Sequence, residues 1–374
     1  MAPDTSTDPR IVMTLDAGGT NLKFSAIRAN RLLLEPVYLP AEPENLDACL
    51  DNIIEGFRRV QAVLPAPPAA ISFAFPGPAD YPAGVVFNEN NLPAFRGGVA
   101  LGPMLEDVFG IPVFLNNDGD LFACGEAMSG FLPEVNRRLA EAGSPKRYSN
   151  LLGITLGTGL GGGIVRNGEL FIGDNSMAGE VWLLRNRIQP DWNAEEGASI
   201  RAVRRVYGEI AGVPFEETPE PKEIFEIGMG RAPGAREAAR EAFRRLGVVA
   251  GDAIAQALTL VDGLVVIGGG LAGAAPLFMP ALLDAVNDVF PRDGRPLRRV
   301  VFRAFDFDDP AQREVFLRGE PRELRVPRSN RTVRYDSLQR TAIGISRLGT
   351  SEAVSLGAYA FALQRLGGRA QRAD

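Results

Sequence analysis

Residues 11–27, which read IVMTLDAGGTNLKFSAI, decide the fold that this sequence predicts. An apolar run with strand character reaches Asp16, breaks at Gly18-Gly19-Thr20, and is followed by alternating residues. The pattern predicts a β-hairpin with Gly-Gly-Thr at its tip. Because two adjacent glycines let the backbone approach a ligand closely, the N–H groups of this turn, helped by the Thr20 hydroxyl, suit an anion such as phosphate.

Asp16, at the end of the first strand, also predicts a contact with a metal ion. A carboxylate in this place can meet a hydrated Mg²⁺ ion that a bound phosphate carries. The alternative is an ordinary glycine hairpin with a solvated aspartate. Two further glycine loops of similar composition favour the phosphate interpretation.

Both of these loops follow strands. Residues 151–165, LLGITLGTGLGGGIV, predict a strand, a loop and a glycine-rich strand. Residues 265–273, VVIGGGLAG, predict a buried strand, three glycines and then a helix start that contains proline. Neither loop is a Walker A motif, because no Gly-Lys-Ser/Thr follows, and neither opens a Rossmann unit. The order of elements therefore indicates a different kind of phosphate site.

Composition narrows the class of protein. A chain of 374 residues exceeds what one core usually supports, so two lobes are expected. The net charge of −6 comes without a large basic cluster, so nucleic acid is not a predicted partner. No apolar run approaches the roughly 18 residues needed to span a bilayer. Cys49 and Cys124 are too few for a disulfide framework, which favours a reducing compartment and a cytoplasmic protein.

The chain contains no histidine. This absence excludes a Ser-His pair, a histidine general base and a histidine-ligated zinc ion. Proton transfer near neutral pH must therefore fall to carboxylates, lysine, tyrosine or cysteine.

Asn117 and Asp118 form the most informative polar pair. The apolar strand predicted over residues 111–115 delivers them to its carboxyl end, where ligand crevices lie in α/β sheets. Phosphoryl transfer to an alcohol needs a base for the hydroxyl proton, and a partly desolvated aspartate suits that role. The alternative is that Asp118 is a helix N-cap.

Six motifs follow one another along the chain: DAGGTNLK, FPGPAD, NNDGDLFACGE, LGTGLGGG, Gly179-Glu180 and IGGGLAG. Together they resemble the sugar kinases of the ROK family (repressors, open reading frames, kinases), within the actin/hexokinase/Hsp70 superfamily. The resemblance covers residues 11–273 and extends to a helix with Ser355-Leu356-Gly357-Ala358. It implies an α/β fold: a two-lobe actin-like ATPase, a duplicated ribonuclease H-like βββαβα unit, with a central ligand cleft.

On this basis the chain divides as follows. Residues 1–9 are expected to be disordered, and residues 10–122 to form the N-terminal lobe, on which the closing helix 351–367 packs. Residues 123–350 are expected to form the C-terminal lobe with an insertion at about 293–347. This charged insertion is interpreted as a hairpin at an oligomer contact, a lid or a solvated loop, and a mixed-sign charged segment is most often solvated.

The resemblance implies ATP-dependent phosphorylation of a hexose or N-acetylhexosamine at the 6-hydroxyl. It also implies Mg²⁺, a small-molecule sugar and a nucleotide as partners, and a homodimer. Asp118 is the implied catalytic base, and Asp16 the implied Mg²⁺ contact, through water. The implied sugar-binding residues are Asn91, Asn117, Asp118, Glu180 and Glu195. The implied ATP-binding residues are Gly18, Gly19, Thr20, Lys23, Gly157, Thr158, Gly159, Gly268, Gly269 and Gly270.

Four of these assignments have structural alternatives. Asn91 is equally a turn former. Lys23 equally organises the first hairpin. Glu195, or its neighbour Glu196, is equally a residue of a first helical turn that interacts with the macrodipole. The three glycines from Gly268 are alternatively a plain helix-opening turn.

The sequence departs from the family at one site. The family pattern Gly-Glu-x-x-His, whose histidine joins three downstream cysteines around a structural zinc, here reads Gly-Glu-Val-Trp-Leu. Leu183 replaces the histidine, and no cysteine follows Cys124. No structural zinc is therefore expected. The loop after Glu180 is expected to be held by packing, with Trp182 and Trp192 as candidates.

Two other functions are considered. A transcription regulator of this family would carry an N-terminal helix-turn-helix domain, and only about ten residues precede the first strand. A catalytically drifted sugar-binding or regulatory protein without a DNA-binding domain is the stronger alternative, because the sugar lobe has lost its zinc motif.

Overall fold

The computed structural model describes residues 5–18, 20–75, 77–87, 93–292 and 294–373, with the backbone alone over 369–373. The strands are β1 (Val12–Ala17), β2 (Asn21–Arg28), β3 (Arg31–Leu32), β4 (Val37–Pro40), β5 (Ala70–Ala74), β6 (Ala79–Asp80), β7 (Val85–Val86), β8 (Val113–Asn116), β9 (Leu151–Leu156), β10 (Leu160–Arg166), β11 (Glu169–Leu170), β12 (Leu264–Gly268), β13 (Val289–Phe290), β14 (Leu297–Arg298), β15 (Arg303–Asp306), β16 (Pro321–Arg325), β17 (Thr332–Asp336) and β18 (Arg340–Ile345). The helices are α1 (Leu46–Ala62), α2 (Leu101–Phe109), α3 (Asp118–Met128), α4 (Phe131–Glu141), α5 (Ile200–Ala211), α6 (Pro221–Gly228), α7 (Arg236–Val261), α8 (Ala275–Val286), α9 (Pro310–Arg318) and α10 (Thr350–Ala373).

The first sheet grows from the predicted hairpin. Its strands follow the order β3-β2-β1-β5-β8, and β4 pairs with β2. β1 and β2 are antiparallel, whereas β1, β5 and β8 run parallel, so their carboxyl ends share one edge. Aromatic rings fill the space between this sheet and α1, where Phe57 meets Phe24 edge to face with centroids 5.1 Å apart.

Helix α1 follows from an amphipathic pattern with a defined start. The Asn45 side chain accepts a hydrogen bond from the Ala48 N–H at 3.1 Å and so satisfies one of the unpaired donors of the first turn. Ile53, Phe57 and Val60 lie on one face and are fully buried. The helix thereby covers the first sheet on one side.

Helices α3 and α10 pack unusually closely, because glycines face the partner backbone. A Cβ atom on Gly357 would lie 1.8 Å from the Leu121 carbonyl oxygen, and one on Gly125 would lie 2.0 Å from the Ala353 carbonyl oxygen. Helix α10 also packs on β1 and β5. Its backbone continues to Ala373, beyond the end expected near residue 367.

Residues 5–9 are ordered, in contrast to the disordered segment expected over residues 1–9. Thr5 is buried within a short 3₁₀ turn, and Asp8 pairs with Arg10 at 2.6 Å. The Tyr359 hydroxyl of α10 donates to the Asp8 carbonyl at 3.3 Å. The segment is polar in sequence but is fixed by contacts with a helix some 350 residues later.

The second sheet has the order β11-β10-β9-β12-β18-β15. β12 runs parallel to both β9 and β18, and β15 runs parallel to β18. The three inner residues Val265, Val266 and Ile267 of β12 are fully buried, as expected for a strand covered on both faces.

The predicted insertion at residues 293–347 requires a correction. β15 and β18 lie in this range and are integral strands of the second sheet. The hairpin of β16 and β17 is exposed along most of its length, and so is the short hairpin of β13 and β14, which agrees with the solvated interpretation of these parts of the segment. The apolar strand residues were hidden in the sequence by the arginines and aspartates on either side of them.

Internal contacts group the chain into two compact units. The first comprises Met1–Gly130, Gly163–Ala178 and Leu348–Asp374, and the second comprises Phe131–Gly162 and Gly179–Arg347. The boundary expected between residues 122 and 123 falls inside α3, which stays whole in the first unit. In the part of the chain that the structure describes, no helix is both long and apolar enough to cross a membrane.

Candidate functional site

The carboxyl edge of the first sheet brings together strand ends that are distant in sequence. Asp16 of β1 is in register with Ala74 of β5, and Ala74 is in register with Asn116 of β8. Asp16 is half-buried and Asn116 is 1% exposed. The predicted metal contact and the segment that carries Asn117 and Asp118 therefore emerge at the same sheet edge.

The turn after β1 has the geometry of a tight hairpin. The Gly18 N–H donates to the Asn21 carbonyl at 3.0 Å, and the Thr20 carbonyl accepts from the Ala41 N–H at 3.0 Å. Thr20 is exposed, while Lys23 is half-buried and lies opposite Asp16 in the β1–β2 ladder. Lys23 thus has a place in the hairpin itself, which was the alternative to phosphate contact.

Asn117, and not Asp118, caps helix α3. The Asn117 Oδ1 atom accepts from the Gly119 N–H at 2.7 Å, and Asn117 has the extended backbone of an N-cap residue. Asp118 is the first helical residue, and its Oδ1 atom also accepts from Gly119 N–H, at 2.8 Å. Asp118 is exposed, whereas the sequence predicted a partly desolvated carboxylate. Asp118 occupies the first position of the helix, where its carboxylate stays open to solvent.

Two predicted site residues, Asn91 and Gly19, lie outside the described residues. Sequence analysis also overlooked Asn116, whose Nδ2 atom is buried and has no hydrogen-bond partner among the described residues, while its Oδ1 atom accepts from the Asn117 N–H at 2.8 Å. In the sequence, Asn116 and Asn117 both follow the same apolar strand, and the pattern does not show which of the two is buried.

The other two glycine loops lie side by side at the carboxyl edge of the second sheet. Gly157 N–H donates to the Gly159 carbonyl at 3.0 Å, which closes the loop around the exposed Thr158. In the neighbouring strand Gly268 is in register with Thr155. A Cβ atom on Gly157 would lie 3.9 Å from the Gly270 nitrogen, so backbone groups of the two loops are near neighbours.

Gly269 is required by the backbone at this point. Its φ angle is +91°, and an added Cβ atom would lie 2.2 Å from the Leu156 carbonyl oxygen. That same oxygen accepts from the Leu271 N–H at 3.0 Å. The glycine loop of residues 268–270 is thus hydrogen-bonded to β9, the strand that precedes the loop of residues 157–159.

Glu195 lies against the second glycine loop. Its Oε2 atom accepts from the Leu160 N–H at 3.1 Å and would be 2.4 Å from a Cβ atom on Gly159. The alternative that placed Glu195 or Glu196 in a first helical turn is wrong, because α5 begins at Ile200 after the N-cap Ser199. Both glutamates belong to the loop that precedes the helix.

Glu180 is half-buried, and its Oε2 atom accepts a hydrogen bond from the Trp182 indole N–H. Leu183, which replaces the family histidine, is 60% exposed. The apolar replacement therefore faces away from the packed interior.

The loop over residues 184–199 is held by hydrogen bonds and one stacked pair. Asn186 is 2% exposed, and its Oδ1 atom accepts from the N–H groups of Ile188 and Gln189 at 2.9 and 3.0 Å. The Arg205 guanidinium lies 4.5 Å from the centre of the Trp192 ring. Trp192 thus has the packing role expected of it, and Asn186 adds a polar anchor that sequence analysis missed.

The chemistry of these groups fits a magnesium-bound nucleotide. Asp16 offers hard carboxylate oxygens beside a turn of backbone N–H groups, and Mg²⁺ usually keeps several waters and takes only one or two carboxylates. Among the described residues there is no cluster of three or more His, Cys, Asp or Glu side chains that would enclose a metal ion. The Asp16 carboxylate beside these backbone donors suits an ion that is held mainly by phosphate and water.

Comparison with known proteins gives a consistent result. The sequence model described as "ROK family" matches residues 12–293. The solved glucokinase of Parabacteroides distasonis is 54% identical, with a TM-score of 0.89, and the match covers 96% of this chain and 99% of that one. The N-acetyl-D-glucosamine kinase of Vibrio parahaemolyticus is 27% identical over 275 residues, which are 69% of this chain and 83% of the relative.

A more distant structure supports the fold alone. The ROK hexokinase of Thermus thermophilus is 23% identical, with a TM-score of 0.67 over 96% of this chain and 99% of its own. The expected α/β actin-like two-domain fold and the expected carbohydrate kinase are confirmed. The family match covers most of the chain, and the chain therefore belongs to the ROK family.

Proposed function

We propose that this protein transfers the terminal phosphoryl group of ATP to the 6-hydroxyl of a hexose or an N-acetylhexosamine. The observation that carries the proposal is the register of β1, β5 and β8, which brings Asp16 and the segment of Asp118 to one sheet edge. The 54% identity to a glucokinase makes glucose the first acceptor to test. The similarity to N-acetyl-D-glucosamine kinases makes N-acetylglucosamine the second.

Asp118 is the proposed general base. Its Oδ1 atom is engaged by the Gly119 N–H, and its carboxylate takes the proton of the sugar hydroxyl as that oxygen bonds to phosphorus. Asn117 uses its Oδ1 atom as a helix cap, so its amide N–H₂ group is the part that orients the sugar. Glu180 and Glu195 are proposed to accept hydrogen bonds from the other hydroxyls, and Asn91 is proposed to donate one.

The remaining residues are proposed to hold the nucleotide and its ion. When bound, Mg²⁺-ATP supplies the phosphoryl group that is transferred. Asp16 would hold a water ligand of the ion, and the backbone N–H groups of the glycine turns would face the phosphate oxygens, where negative charge develops. The residues proposed to bind phosphate are Gly18, Gly19, Thr20, Lys23, Gly157, Thr158 and Gly159. The residues proposed to bind the nucleoside are Gly268, Gly269 and Gly270.

The proposal includes a cytoplasmic homodimer. Both cysteines are free and buried, as in proteins of reducing compartments. Light scattering after size-exclusion chromatography would test the dimer.

The decisive experiment is an assay of ADP release with Mg²⁺-ATP across glucose, N-acetylglucosamine and their epimers. We expect turnover on at least one sugar. Asp118→Ala should lower kcat by about 10²- to 10⁴-fold, because it removes the base, while calorimetry still detects sugar binding. Product analysis by NMR identifies the phosphorylated hydroxyl.

Asp47→Ala is the matched control, since Asp47 is likewise an exposed aspartate in a first helical turn. It should leave kcat unchanged. Full activity of Asp118→Ala would show that Asp118 is not the general base. Sugar binding without turnover by the wild-type protein would favour the catalytically drifted, regulatory alternative.

A further inference from the structure

Trp182 contacts both of the glutamates that are proposed to bind sugar. Its indole N–H donates to the Glu180 carboxylate. Its carbonyl oxygen accepts from the N–H groups of Ala194 at 3.1 Å and of Glu195 at 3.4 Å. One residue therefore connects the beginning of the loop to its end.

The contacts continue from Glu195 to the second glycine loop. The Glu195 carboxylate accepts from the Leu160 N–H, at the start of β10, and occupies the space beside Gly159. A chain of direct contacts thus joins Glu180, Trp182 and Glu195 to the loop proposed to hold phosphate. Displacement of the indole would be felt at Glu180, and a shift of the Trp182 backbone would be felt at Glu195.

We infer that Trp182 is a positioning residue for the sugar acceptor: its indole N–H fixes the Glu180 carboxylate, and its carbonyl fixes the backbone at Glu195. This inference rests on the proposed function, since it assigns the sugar contacts to those two glutamates. Trp182 takes over the orienting task at a place where the family histidine is lost and Leu183 is exposed.

The chemistry of the indole determines what this arrangement does. An indole N–H is a donor only and does not titrate in the physiological range, so it orients the carboxylate without taking its charge. A fixed carboxylate discriminates between hydroxyl epimers more sharply than a mobile one, because the wrong epimer leaves it unpaired.

Two substitutions separate the hydrogen bond from the bulk of the ring. Trp182→Phe keeps an aromatic ring but removes the donor. Trp182→Gln removes the ring but places an amide N–H the same number of bonds from Cα as the indole nitrogen. We expect Trp182→Phe to raise the KM for sugar about tenfold while the KM for ATP and kcat stay within about twofold. Trp182→Gln should recover most of the sugar KM.

Trp192→Phe is the matched control. It makes the same chemical change at the other tryptophan of the chain, whose ring stacks with Arg205. Its sugar KM should stay at the wild-type value. In Trp182→Phe, the remaining Trp192 emission reports whether the same loop is still folded.

Fluorescence gives a readout that does not depend on turnover. In Trp192→Phe, Trp182 is the one remaining indole, so sugar binding beside Glu180 should shift its emission, and ATP alone should not. Binding of sugar by calorimetry with unchanged Trp182 emission would overturn the inference. So would an unchanged sugar KM in Trp182→Phe, or equal KM increases in the Phe and Gln variants, which would indicate ring packing alone.

Failure of the proposed function has a different signature. A wild-type protein that phosphorylates none of the sugars, yet binds one with a shift in Trp182 emission, would refute the kinase proposal and support the role of Trp182. A protein that neither binds nor phosphorylates any of these sugars would refute both.

Discussion

At the residue scale, the neighbours Asn117 and Asp118 show how two polar side chains take different tasks. Asn117 caps the first turn of α3, whereas Asp118, the proposed base, is the first helical residue and has an exposed carboxylate. Both residue types are good N-caps, so sequence alone left the assignment open. The backbone angles at the helix start decide between them.

Burial also determines the protonation state of the two cysteines. In a chain without histidine, cysteine remained a candidate for proton transfer or nucleophilic attack. Burial raises the pKa of Cys49 to about 11, with a further contribution from Glu42. Burial likewise raises the pKa of Cys124 to about 12, with a further contribution from Asp120. Both thiols are therefore protonated at neutral pH, which leaves carboxylates as the better candidates for the base.

We predict that neither cysteine reacts with iodoacetamide in the folded protein at pH 8. The thiolate is the reactive form, and a raised pKa keeps it at roughly a thousandth of the population or less. Mass spectrometry should find no label in the native protein and two labels in urea, where the pKa values return to about 8.5. Stoichiometric native labelling would show that a thiol is accessible and ionised.

At the element scale, a buried ion pair anchors the end of the exposed hairpin to the second sheet. The side chain of Arg340 in β18 is fully buried and lies 2.5 Å from the carboxylate of Asp336, whose side chain is 5% exposed. The guanidinium also donates to the carbonyl oxygens of Phe316 at 2.6 Å and Leu338 at 3.1 Å. This network explains why a segment rich in charge is nevertheless part of a core sheet.

Arg340→Met should lower the free energy of unfolding by about 3–5 kcal/mol, because it leaves the Asp336 carboxylate buried without its cation. Urea titration measures this loss. Arg137→Met, which breaks an exposed pair with Glu141, is the control and should cost less than about 1 kcal/mol. Equal losses in the two variants would contradict the importance of burial.

The same pair predicts a pH dependence. Burial would raise the pKa of Asp336, but hydrogen bonds from the Glu320 N–H and from Arg340 outweigh it, so the pKa is lowered. A carboxyl with a lowered folded-state pKa stabilises the protein above its unfolded pKa of about 3.9 and loses that contribution as the pH falls further. The difference in unfolding free energy between wild type and Arg340→Met should therefore shrink below about pH 4.

At the scale of the whole molecule, the first unit is built from three separate stretches of chain. Its C-terminal stretch is α10, which packs on α3, β1 and β5. Five large apolar side chains of this helix are buried: Val354, Leu356, Tyr359, Phe361 and Leu363. The last helix therefore belongs to the core that the first hairpin begins.

We predict that ending the chain at Gly349 abolishes folding of the first unit. Burial of five large side chains is worth roughly 8–15 kcal/mol, at about 1.5–3 kcal/mol each, which matches the whole stability of a typical domain. Calorimetry and hydrogen exchange should show the loss of protection in β1, β2 and β5. Retained protection in those strands would contradict the prediction.

Removal of residues 322–335 is the control for this truncation. These residues form the exposed part of the β16–β17 hairpin, and the paired ends Pro321 and Asp336 are close enough for a short Gly-Asn link. The deletion should leave the unfolding transition of the first unit in place.

Sequence by itself determined the features that depend on a few neighbouring residues. The hairpin with its Gly-Gly-Thr turn, the buried strand of residues 264–268 and the amphipathic helix α1 all follow from periodicity, turn residues and capping. The order of the motifs also indicated the family and the carbohydrate kinase. These signals are local or depend on order alone, so no knowledge of packing was needed.

Tertiary structure decided everything that depends on which distant segments meet. The register that aligns Asp16 with Ala74 and Asn116, the place of β15 and β18 in the second sheet, and the contact of Trp182 with Glu180 join residues whose partners the pattern does not specify. Strand order and burial are set by the packing of the whole core, where each contact depends on the others. For that reason the residue types of the site were readable from the chain, whereas their tasks depended on the fold.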